Sequence, residues 1–335
     1  MNVAIIGDGG WGSAVATLLD AYGHNVTVWG PFPDYIKEIA ETRQNPRYLP
    51  GIEFTRNIRW TSDLKIAVPD ADAVILAVPS KFYAGICEQI APLLDVRNTL
   101  VISLTKGICP GTGKRMSEVA AETLKTDRIV VLSGPSHAEE VARRIPTCVT
   151  CACADHACAV RAQNLFNGPR FRVYTTDDVL GVEIGGLVKN VLAIAVGASD
   201  GFGFGDNTRA ALITRGLAEM MRLGLRLGAR METLCGLAGI GDLIVTCTSH
   251  HSRNHSVGEK LGRGLSIEKI LGGMQMVAEG VDNAQMLHDL AEKYGVEMPI
   301  AEVVYRICYK KLAAEDAVML LMERTAKPEY PTSEP

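Results

Sequence analysis

Short apolar runs alternate with segments of helical periodicity through the first half of the chain. The apolar runs are bounded by turn residues, which is typical of the buried strands of a parallel α/β sheet. We predict strands at Val3–Ile6, Val26–Trp29, Ala73–Ala77, Leu100–Ser103, Ile129–Leu132 and Cys148–Ala152. The predicted helices between them are Ser13–Tyr22, Tyr35–Arg43, Phe82–Leu93 and Lys114–Leu124.

The pattern changes near Tyr174–Val179, where the strand-like runs stop and longer helical periodicities begin. The predicted helices of this second half are Val182–Ala198, Thr208–Leu227, Asn283–Tyr294 and Ala301–Lys311. We therefore predict an α/β domain over residues 1–180, an all-helical domain over 181–327 and a disordered tail over 328–335.

Composition narrows the class of protein. Of the 335 residues, 47% are hydrophobic and 21% are charged, which is typical of a globular fold, and the formal charge of −4 does not favour binding to nucleic acid. The apolar stretch Val179–Ser199 approaches membrane-spanning length, but Glu183 and Lys189 interrupt it, so we predict a buried helix. The chain has no signal-peptide pattern at its start, and its nine cysteines fit reduced thiols, so we expect a cytoplasmic protein.

A glycine-rich turn, Gly7-Asp8-Gly9-Gly10-Trp11-Gly12, follows the first predicted strand and opens the first predicted helix. A lone G-x-G-x-x-G pattern is a weak signal, but a strand, this turn, a helix and a second strand together are typical of dinucleotide-binding folds. Gly7 permits the turn, Gly9 lets the backbone approach a pyrophosphate, and Gly12 lets the helix pack closely on the sheet. We therefore predict a dinucleotide held at the N-terminus of this helix.

The second predicted strand ends in Val28-Trp29-Gly30-Pro31, without the acidic residue that commonly binds an adenosine ribose. No Arg or Lys follows it to bind a 2′-phosphate, and Asp34 is the first ionised side chain. Without a cation the attraction for NADP is lost, so we predict that NAD is modestly favoured over NADP.

Lys189 lies in the middle of the most apolar predicted helix, where an unpaired ammonium is costly. Burial lowers the pKa of a lysine toward the range useful for proton transfer, so a functional lysine is the favoured interpretation. The alternative is a lysine that reaches the rim of the helix or pairs with a structural carboxylate.

Three further segments carry candidate binding groups. Gly239-Ile240-Gly241-Asp242 precedes Thr246 by one turn, and Ser252-Arg253-Asn254 could begin a helix with Ser252 as its cap. Donors at a helix N-terminus can bind phosphate, although each segment alone would suit an ordinary cap. Lys106-Gly107 and residues 133–138 follow predicted strands, at the edge where open α/β sheets bind ligands.

The cysteines Cys148, Cys151, Cys153 and Cys158, with His156 among them, fit no closed zinc-binding spacing. Cys148–Ala152 has the alternation of a strand, so we interpret these side chains as small apolar filler and predict no metal site.

Together these segments resemble the bacterial type of NAD(P)-dependent glycerol-3-phosphate dehydrogenase over nearly the whole chain. The stretches that carry the resemblance are GDGGWGSAVA, SLTKG, SGPSHAEEV, GVEIGGLVKNVLAIAVGASDGFGFGDNTRAALITRGLAEM, GLAGIGDLIVTCTSHHSRN and MVAEG. The resemblance implies a Rossmann-type domain followed by a helical domain, and commonly a homodimer. It implies an oxidoreductase that reduces dihydroxyacetone phosphate to sn-glycerol 3-phosphate with NAD(P)H, supplying glycerophospholipid biosynthesis.

The resemblance also implies roles for individual residues, with Lys189 as the proton donor and acceptor. The implied substrate-binding residues are Lys106, Gly134, Ser136, Lys189, Asp242, Ser252, Arg253 and Asn254. To the motif glycines Gly7, Gly9 and Gly12 it adds the cofactor-binding positions Gly10, Trp11, Lys106, Ala138, Arg253, Val277 and Glu279. Thr246 and Asn190 are expected as neighbours of the reacting groups.

Two positions depart from the usual pattern of the family. Pro31 stands where many members carry Arg or His, and Gly10 stands where Ser is frequent. The first departure bears on the choice of dinucleotide; at the second only the backbone is expected to matter. Glu279 would favour NAD further if it lay near the adenosine ribose, because its charge would repel a 2′-phosphate.

Two other functions remain open from the sequence. A related two-domain reductase of the β-hydroxyacid or ketopantoate type would act on carboxylate substrates. A non-catalytic dinucleotide sensor is the other possibility, and the presence of Lys189, Asp242 and Arg253 argues against it.

Overall fold

The computed structural model of the protein describes residues 1–274, 278–326, 328 and 329. Its strands are β1 Asn2–Ile6, β2 Asn25–Trp29, β3 Gln44–Asn45, β4 Leu49–Glu53, β5 Arg59–Thr61, β6 Ala73–Leu76, β7 Leu100–Ser103, β8 Ile129–Ser133, β9 Thr147–Ala152 and β10 Phe171–Thr176. Its α-helices in the first half are α1 Gly10–Ala21, α2 Pro33–Thr42, α3 Leu64–Ala67, α4 Ser80–Ile90, α5 Met116–Leu124, α6 Ala138–Ala142 and α7 His156–Phe166. A 3₁₀ turn, Ala91–Leu93, follows α4.

The helices of the second half are α8 Val179–Gly201, α9 Asp206–Leu227, α10 Met231–Leu234, α11 Asp242–Thr248, α12 Arg253–Gly262, α13 Ile267–Gly272, α14 Glu279–Tyr294, α15 Pro299–Tyr309 and α16 Ala314–Met322. A π-helical turn, Leu237–Gly241, leads into α11. Helix α8 is the centre of this half: most of its residues are buried, and α9, α11, α12, α14 and α15 pack against it.

The main sheet has the strand order β10-β9-β8-β7-β6-β1-β2-β5. β1 lies in its interior, because the chain first builds outward through β2 and β5 and then returns to add β6 on the other side of β1. The carboxyl ends of parallel strands meet at one edge, and ligands bind in the crevice where the strand order reverses. That crevice lies between β1 and β6, directly beside the glycine-rich turn.

The predicted fold class is confirmed: an N-terminal Rossmann-like region is followed by an all-helical region. Each predicted strand and helix is present with small shifts of its ends, whereas the strands β3, β4, β5 and β10 and several short helices were not predicted.

The expectation of a wholly parallel sheet is wrong at one end of the sheet, since β9 runs antiparallel to β8 and β10 is parallel to β9. Only the five-residue helix α6 lies between them. The whole connection, residues 134–146, is close to the lower limit of about a dozen residues for the crossover that joins parallel strands.

By length and composition alone, two stretches of the described chain could cross a membrane, Val179–Gly201 and Met231–Thr248. The first is the predicted buried helix, and 83% of its most apolar window lies inside the fold; such core helices commonly pass this test. The predicted tail extends beyond the described residues, which include only Pro328 and Glu329 of it.

Candidate active site

The glycine-rich turn brings backbone close to backbone at the ends of β1 and β6. Gly7 has φ +130°, and a Cβ there would collide with the carbonyl oxygen of Ala77. A Cβ at Gly10 would lie 2.6 Å from the carbonyl oxygen of Tyr48, so this turn packs against the segment before β4. A Cβ at Gly9, by contrast, would meet no atom within 4 Å. The turn is therefore open at Gly9, directly before α1, as the approach of a pyrophosphate to a helix N-terminus requires.

A buried polar network holds this turn in place. The Asn45 side chain donates to the Asp8 carbonyl at 2.7 Å and to Ser13 Oγ at 2.9 Å. Tyr35 Oη in turn donates to Asn45 Oδ1 at 2.6 Å. Because each of these groups is buried and bonded, the network stabilises one conformation of the turn before any ligand arrives.

Lys189, Lys106 and Asp242 form one cluster, although 136 positions of sequence separate the second from the third. Lys189 Nζ lies 2.5 Å from Asp242 Oδ1, and Lys106 Nζ lies 2.6 Å from Asp242 Oδ2. Lys189 also donates to Thr246 Oγ1 at 2.8 Å. Lys189 is 6% exposed and Asp242 is 1% exposed. Two ammonium groups thus share one carboxylate, and the cluster has an excess of positive charge.

The electrostatics of the cluster suit proton transfer. Burial lowers the pKa of Lys189 to about 8, with the repulsion from Lys106 adding to the effect and Asp242 opposing it. Burial acts to raise the pKa of Asp242, but the two ammonium groups outweigh it and hold that pKa below its ordinary value. Asp242 is therefore a carboxylate, and Lys189 can change its protonation state near neutral pH.

Two glycines on α8 lie beside the elements that carry Asp242 and Lys106. A Cβ at Gly185 would collide with the carbonyl oxygen of Ala238, in the π-helical turn before Asp242. A Cβ at Gly186 would lie 3.4 Å from Lys106 Cγ, from the loop after β7. The close approach of the π-helical turn to α8 therefore requires glycine at position 185, whereas Gly186 is in ordinary contact distance of the Lys106 side chain.

The N-terminus of α12 lies beside the cluster. Ser252 caps this helix through its Oγ, which accepts from His255 N at 3.2 Å. Asn254 donates to Asn190 Oδ1 at 2.9 Å and accepts from Gly280 N at 3.0 Å. The side chains of Ser252 and Asn254 therefore hold the helix end in place, and the helix N-terminus itself is the group that favours an anion.

Glu279, the first residue of α14, lies among cations. Burial raises its pKa, while Arg253, Lys106 and Lys189 act in the opposite direction. Glu279 thus lies on the β7 side of the crevice, and β6 and β1 separate β7 from β2. It does not supply the acid that the end of β2 lacks.

The remaining predicted residues that the structure describes are Gly134, Ser136, Ala138 and Trp11. Gly134 has φ +141°, and the Ser136 hydroxyl donates to its carbonyl oxygen at 2.9 Å. Ala138 begins α6, and its Cβ lies 3.8 Å from the position that a Cβ at Gly10 would take. Trp11 is half-buried in the first turn of α1. Val277 lies outside the described residues.

Four residues at this edge have no individual role in the sequence analysis, although Ser133 and His137 lie in the candidate segment 133–138 and Asp8 lies in the glycine motif. Ser133 Oγ donates to Asp242 Oδ2 at 3.4 Å, and the His137 and His251 rings are tilted at 55° to each other with centroids 5.8 Å apart. Asp8 stands inside the glycine motif, with its side chain buried beside Gly30. These residues lie in or near segments that the sequence predicts at the ligand-binding edge, but their spacing in the sequence does not predict which side chains they contact.

The cysteine cluster has the expected strand geometry on β9. Cys151, Cys153 and Cys158 are buried and Cys148 is exposed. Within the described part of the chain, no group of three or more His, Cys, Asp or Glu side chains could hold a metal ion.

Comparison with known proteins identifies both halves of this arrangement. The family model for the N-terminus of NAD-dependent glycerol-3-phosphate dehydrogenase matches residues 2–159, and the model for its C-terminus matches residues 178–319. The glycerol-3-phosphate dehydrogenase [NAD(P)+] of Lysinibacillus sphaericus is 47% identical over 331 residues, covering 98% of each chain. The enzyme of the same name from Geobacter sulfurreducens is 48% identical over 331 residues, again covering 98% of each chain.

Solved structures agree with this assignment. The crystal structure of glycerol-3-phosphate dehydrogenase from Coxiella burnetii superposes with a TM-score of 0.92 at 40% identity, covering 96% of this chain and 98% of that one. A ketopantoate reductase from Ralstonia eutropha shares the fold alone, with a TM-score of 0.61 at 17% identity over 95% of this chain and 100% of its own. The protein therefore belongs to the NAD-dependent glycerol-3-phosphate dehydrogenase family.

Proposed function

We propose that the protein reduces dihydroxyacetone phosphate to sn-glycerol 3-phosphate with a nicotinamide dinucleotide as hydride donor. The observation that carries the proposal is the buried Lys189–Asp242–Lys106 cluster, which lies at the ligand-binding edge of the sheet with an excess of positive charge. An anionic ketone fits such a site, and the names of the relatives describe this dehydrogenase activity.

The dinucleotide, when bound at the glycine-rich turn, supplies the hydride for the carbonyl carbon. The carbonyl oxygen then needs a proton, and protonated Lys189 is the group placed to donate it. An ammonium has three donors. Asp242 and Thr246 accept hydrogen bonds from two of the three N–H donors of Lys189, so the third donor remains for the substrate oxygen. Asp242 thereby orients the ammonium without taking its proton.

The substrate phosphate binds, in this proposal, at the N-terminus of α12. Arg253 supplies a charge there, and the first-turn N–H groups supply donors. Ser252 and Asn254 contribute by fixing this helix end, since their side chains already bond within the protein. Binding energy from the phosphate then positions the carbonyl carbon for reaction.

The direct test is oxidation of NADH, followed by its absorbance, with dihydroxyacetone phosphate as substrate. Unphosphorylated dihydroxyacetone and ketopantoate are the matched alternatives. We expect turnover with the phosphorylated ketone and a far lower kcat/KM with the other two. Faster turnover of ketopantoate would favour the carboxylate reductases, and dinucleotide binding without any turnover would favour a sensor.

The cofactor is NAD or NADP, as in the family, and we propose a modest preference for NAD. The absence of a cation in Gly30-Pro31-Phe32-Pro33 supports this preference. Arg43, a cation more distant in sequence at the end of α2, donates to the Ile58 carbonyl oxygen at 3.0 Å, which ties its guanidinium to the protein.

We also propose a cytoplasmic homodimer that supplies glycerophospholipid biosynthesis, with domains over residues 1–180 and 181–327. The family resemblance supports the dimer, and the end of β10 at Thr176 and the start of α8 at Val179 support the domain division. Light scattering should then give about twice the chain mass of 36.1 kDa.

A further inference from the structure

The end of β2 lacks an acid in sequence, but the fold places one beside it. Ile6 of β1 pairs with Trp29 of β2, so the residues that follow these two strands are neighbours. A Cβ at Gly30 would lie 2.6 Å from Asp8 Cγ and 2.9 Å from Asp8 Cβ. Gly30 therefore leaves the space over its own Cα to the side chain of Asp8.

One oxygen of the Asp8 carboxylate, Oδ2, has no hydrogen-bond partner among the described residues. Asp8 as a whole is 6% exposed, and this oxygen is buried. A buried acceptor without a partner costs free energy unless a ligand or solvent satisfies it. The backbone carbonyl of Asp8, in contrast, accepts from Asn45 and Ser13. The backbone of Asp8 therefore has a structural role that its carboxylate does not share.

We propose that Asp8 is the residue that selects NAD over NADP, because its carboxylate occupies the position of the acid missing from the end of β2. This inference rests on the proposed dinucleotide-dependent function. The carboxylate accepts a hydrogen bond from the adenosine 2′-hydroxyl and repels a 2′-phosphate. The repulsion acts in a partly buried environment, where charges are screened less than in water.

Arg47 is the opposing charge at this place. It is exposed, and its guanidinium lies 4.3 Å from the centroid of the Tyr35 ring. Burial raises the pKa of Asp8, and the charge of Arg47 acts to lower it, so the two side chains influence one another. Arg47 attracts a 2′-phosphate, whereas Asp8 repels it. Removing the charge of Asp8 and removing the charge of Arg47 should therefore shift the selectivity between NADH and NADPH in opposite directions.

The test is equilibrium binding of NADH and NADPH, measured by fluorescence titration, which does not require turnover. In the wild type we expect NADH to bind more tightly than NADPH. Asp8→Asn removes the charge and keeps the shape, so the ratio of the NADPH Kd to the NADH Kd should fall about tenfold, mainly through tighter NADPH binding. Arg47→Gln, the matched control, should raise the same ratio.

A second measurement uses the wild-type protein alone, so it does not depend on the folding of a variant. An NADH analogue that lacks the 2′-hydroxyl of the adenosine ribose should bind several-fold more weakly than NADH, because the hydroxyl that donates to Asp8 is missing. Equal binding of the two would overturn the proposal. So would an unchanged Kd ratio in folded Asp8→Asn, or equal weakening of both dinucleotides. A wild type that binds neither dinucleotide would refute the proposed function itself.

Discussion

Helix α8 carries two buried ionised residues in contrasting surroundings, Glu183 and Lys189, and each is 6% exposed. The oxygens of Glu183 accept from Ser117 N at 2.9 Å, from Ser117 Oγ at 2.6 Å and from Arg115 Nη1 at 2.7 Å. Every partner of Glu183 comes from the start of α5 or the residue before it. The Glu183 cluster, meaning Glu183 with Arg115 and Ser117, therefore joins the helical half to the sheet half.

The Lys189 cluster, meaning Lys189 with Lys106 and Asp242, is different in charge. One carboxylate serves two ammonium groups, so the cluster keeps a positive excess, and among the described residues at least one ammonium donor has no acceptor. The difference shows how a buried charged residue with a structural role can be distinguished from one with a functional role. A buried carboxylate whose two oxygens are both bonded within the protein holds elements together. A buried ammonium with a donor left over is placed to bind and protonate an anionic substrate.

The largest effect should follow removal of the uncompensated ammonium. Lys189→Ala should lower kcat about 10²-fold or more, because the proton donor to the developing alkoxide is lost. The Kd for NADH from fluorescence titration should change little. A kcat within a few-fold of the wild type would make Lys189 a structural residue, like Glu183.

Loss of Arg253 should act on binding more than on chemistry. Arg253→Ala should raise KM for dihydroxyacetone phosphate about 10-fold or more, since a charge-assisted bond to the phosphate is lost. In steady-state assays with both ketones, the Arg253→Ala variant should show a smaller ratio of kcat/KM for dihydroxyacetone phosphate to kcat/KM for dihydroxyacetone than the wild type. If that preference is unchanged, the phosphate lies elsewhere.

The Glu183 cluster should show the reverse pattern. Glu183→Gln leaves Arg115 with Glu118 as its remaining carboxylate, at 2.8 Å, and should destabilise the fold by about 2 kcal/mol through the loss of charge-assisted hydrogen bonds. Thermal unfolding should show a lower Tm, while kcat and KM of the folded enzyme stay close to wild type. A kcat loss comparable to that of Lys189→Ala, at unchanged Tm, would erase the distinction between the two clusters.

Much of the fold follows from local patterns in the sequence. Helix α8 was expected from its apolar run, and the structure extends it to Val179 because Asp178 Oδ1 caps it by accepting from Gly181 N at 2.8 Å. Strand β10 was missed although Phe171 and Val173 are buried and their neighbours are exposed, an alternation that the sequence displays. The antiparallel direction of β9 depends on the connection between β8 and β9. The apolar run of a strand predicts the strand but not the direction in which it runs.

The sequence predicts only part of the candidate active site. The glycine motif is local, so its geometry could be predicted residue by residue. Lys189 was singled out by its apolar surroundings, but its contact with Asp242 spans 53 positions and depends on how α8 and α11 pack. Asp8 was not assigned a role, because its proximity to Gly30 arises only when β1 and β2 pair.

The pH dependence of ketone reduction tests the central claim about Lys189 most directly. Lys189 must be protonated to donate, and burial sets its pKa at about 8. The kcat/KM for dihydroxyacetone phosphate should therefore be level near neutral pH and fall about tenfold per pH unit above that pKa, while oxidation of sn-glycerol 3-phosphate should rise over the same range. Residual activity of Lys189→Ala should lack this transition. A wild-type profile without a transition between neutral pH and the ordinary lysine pKa, or the same transition in Lys189→Ala, would contradict the account.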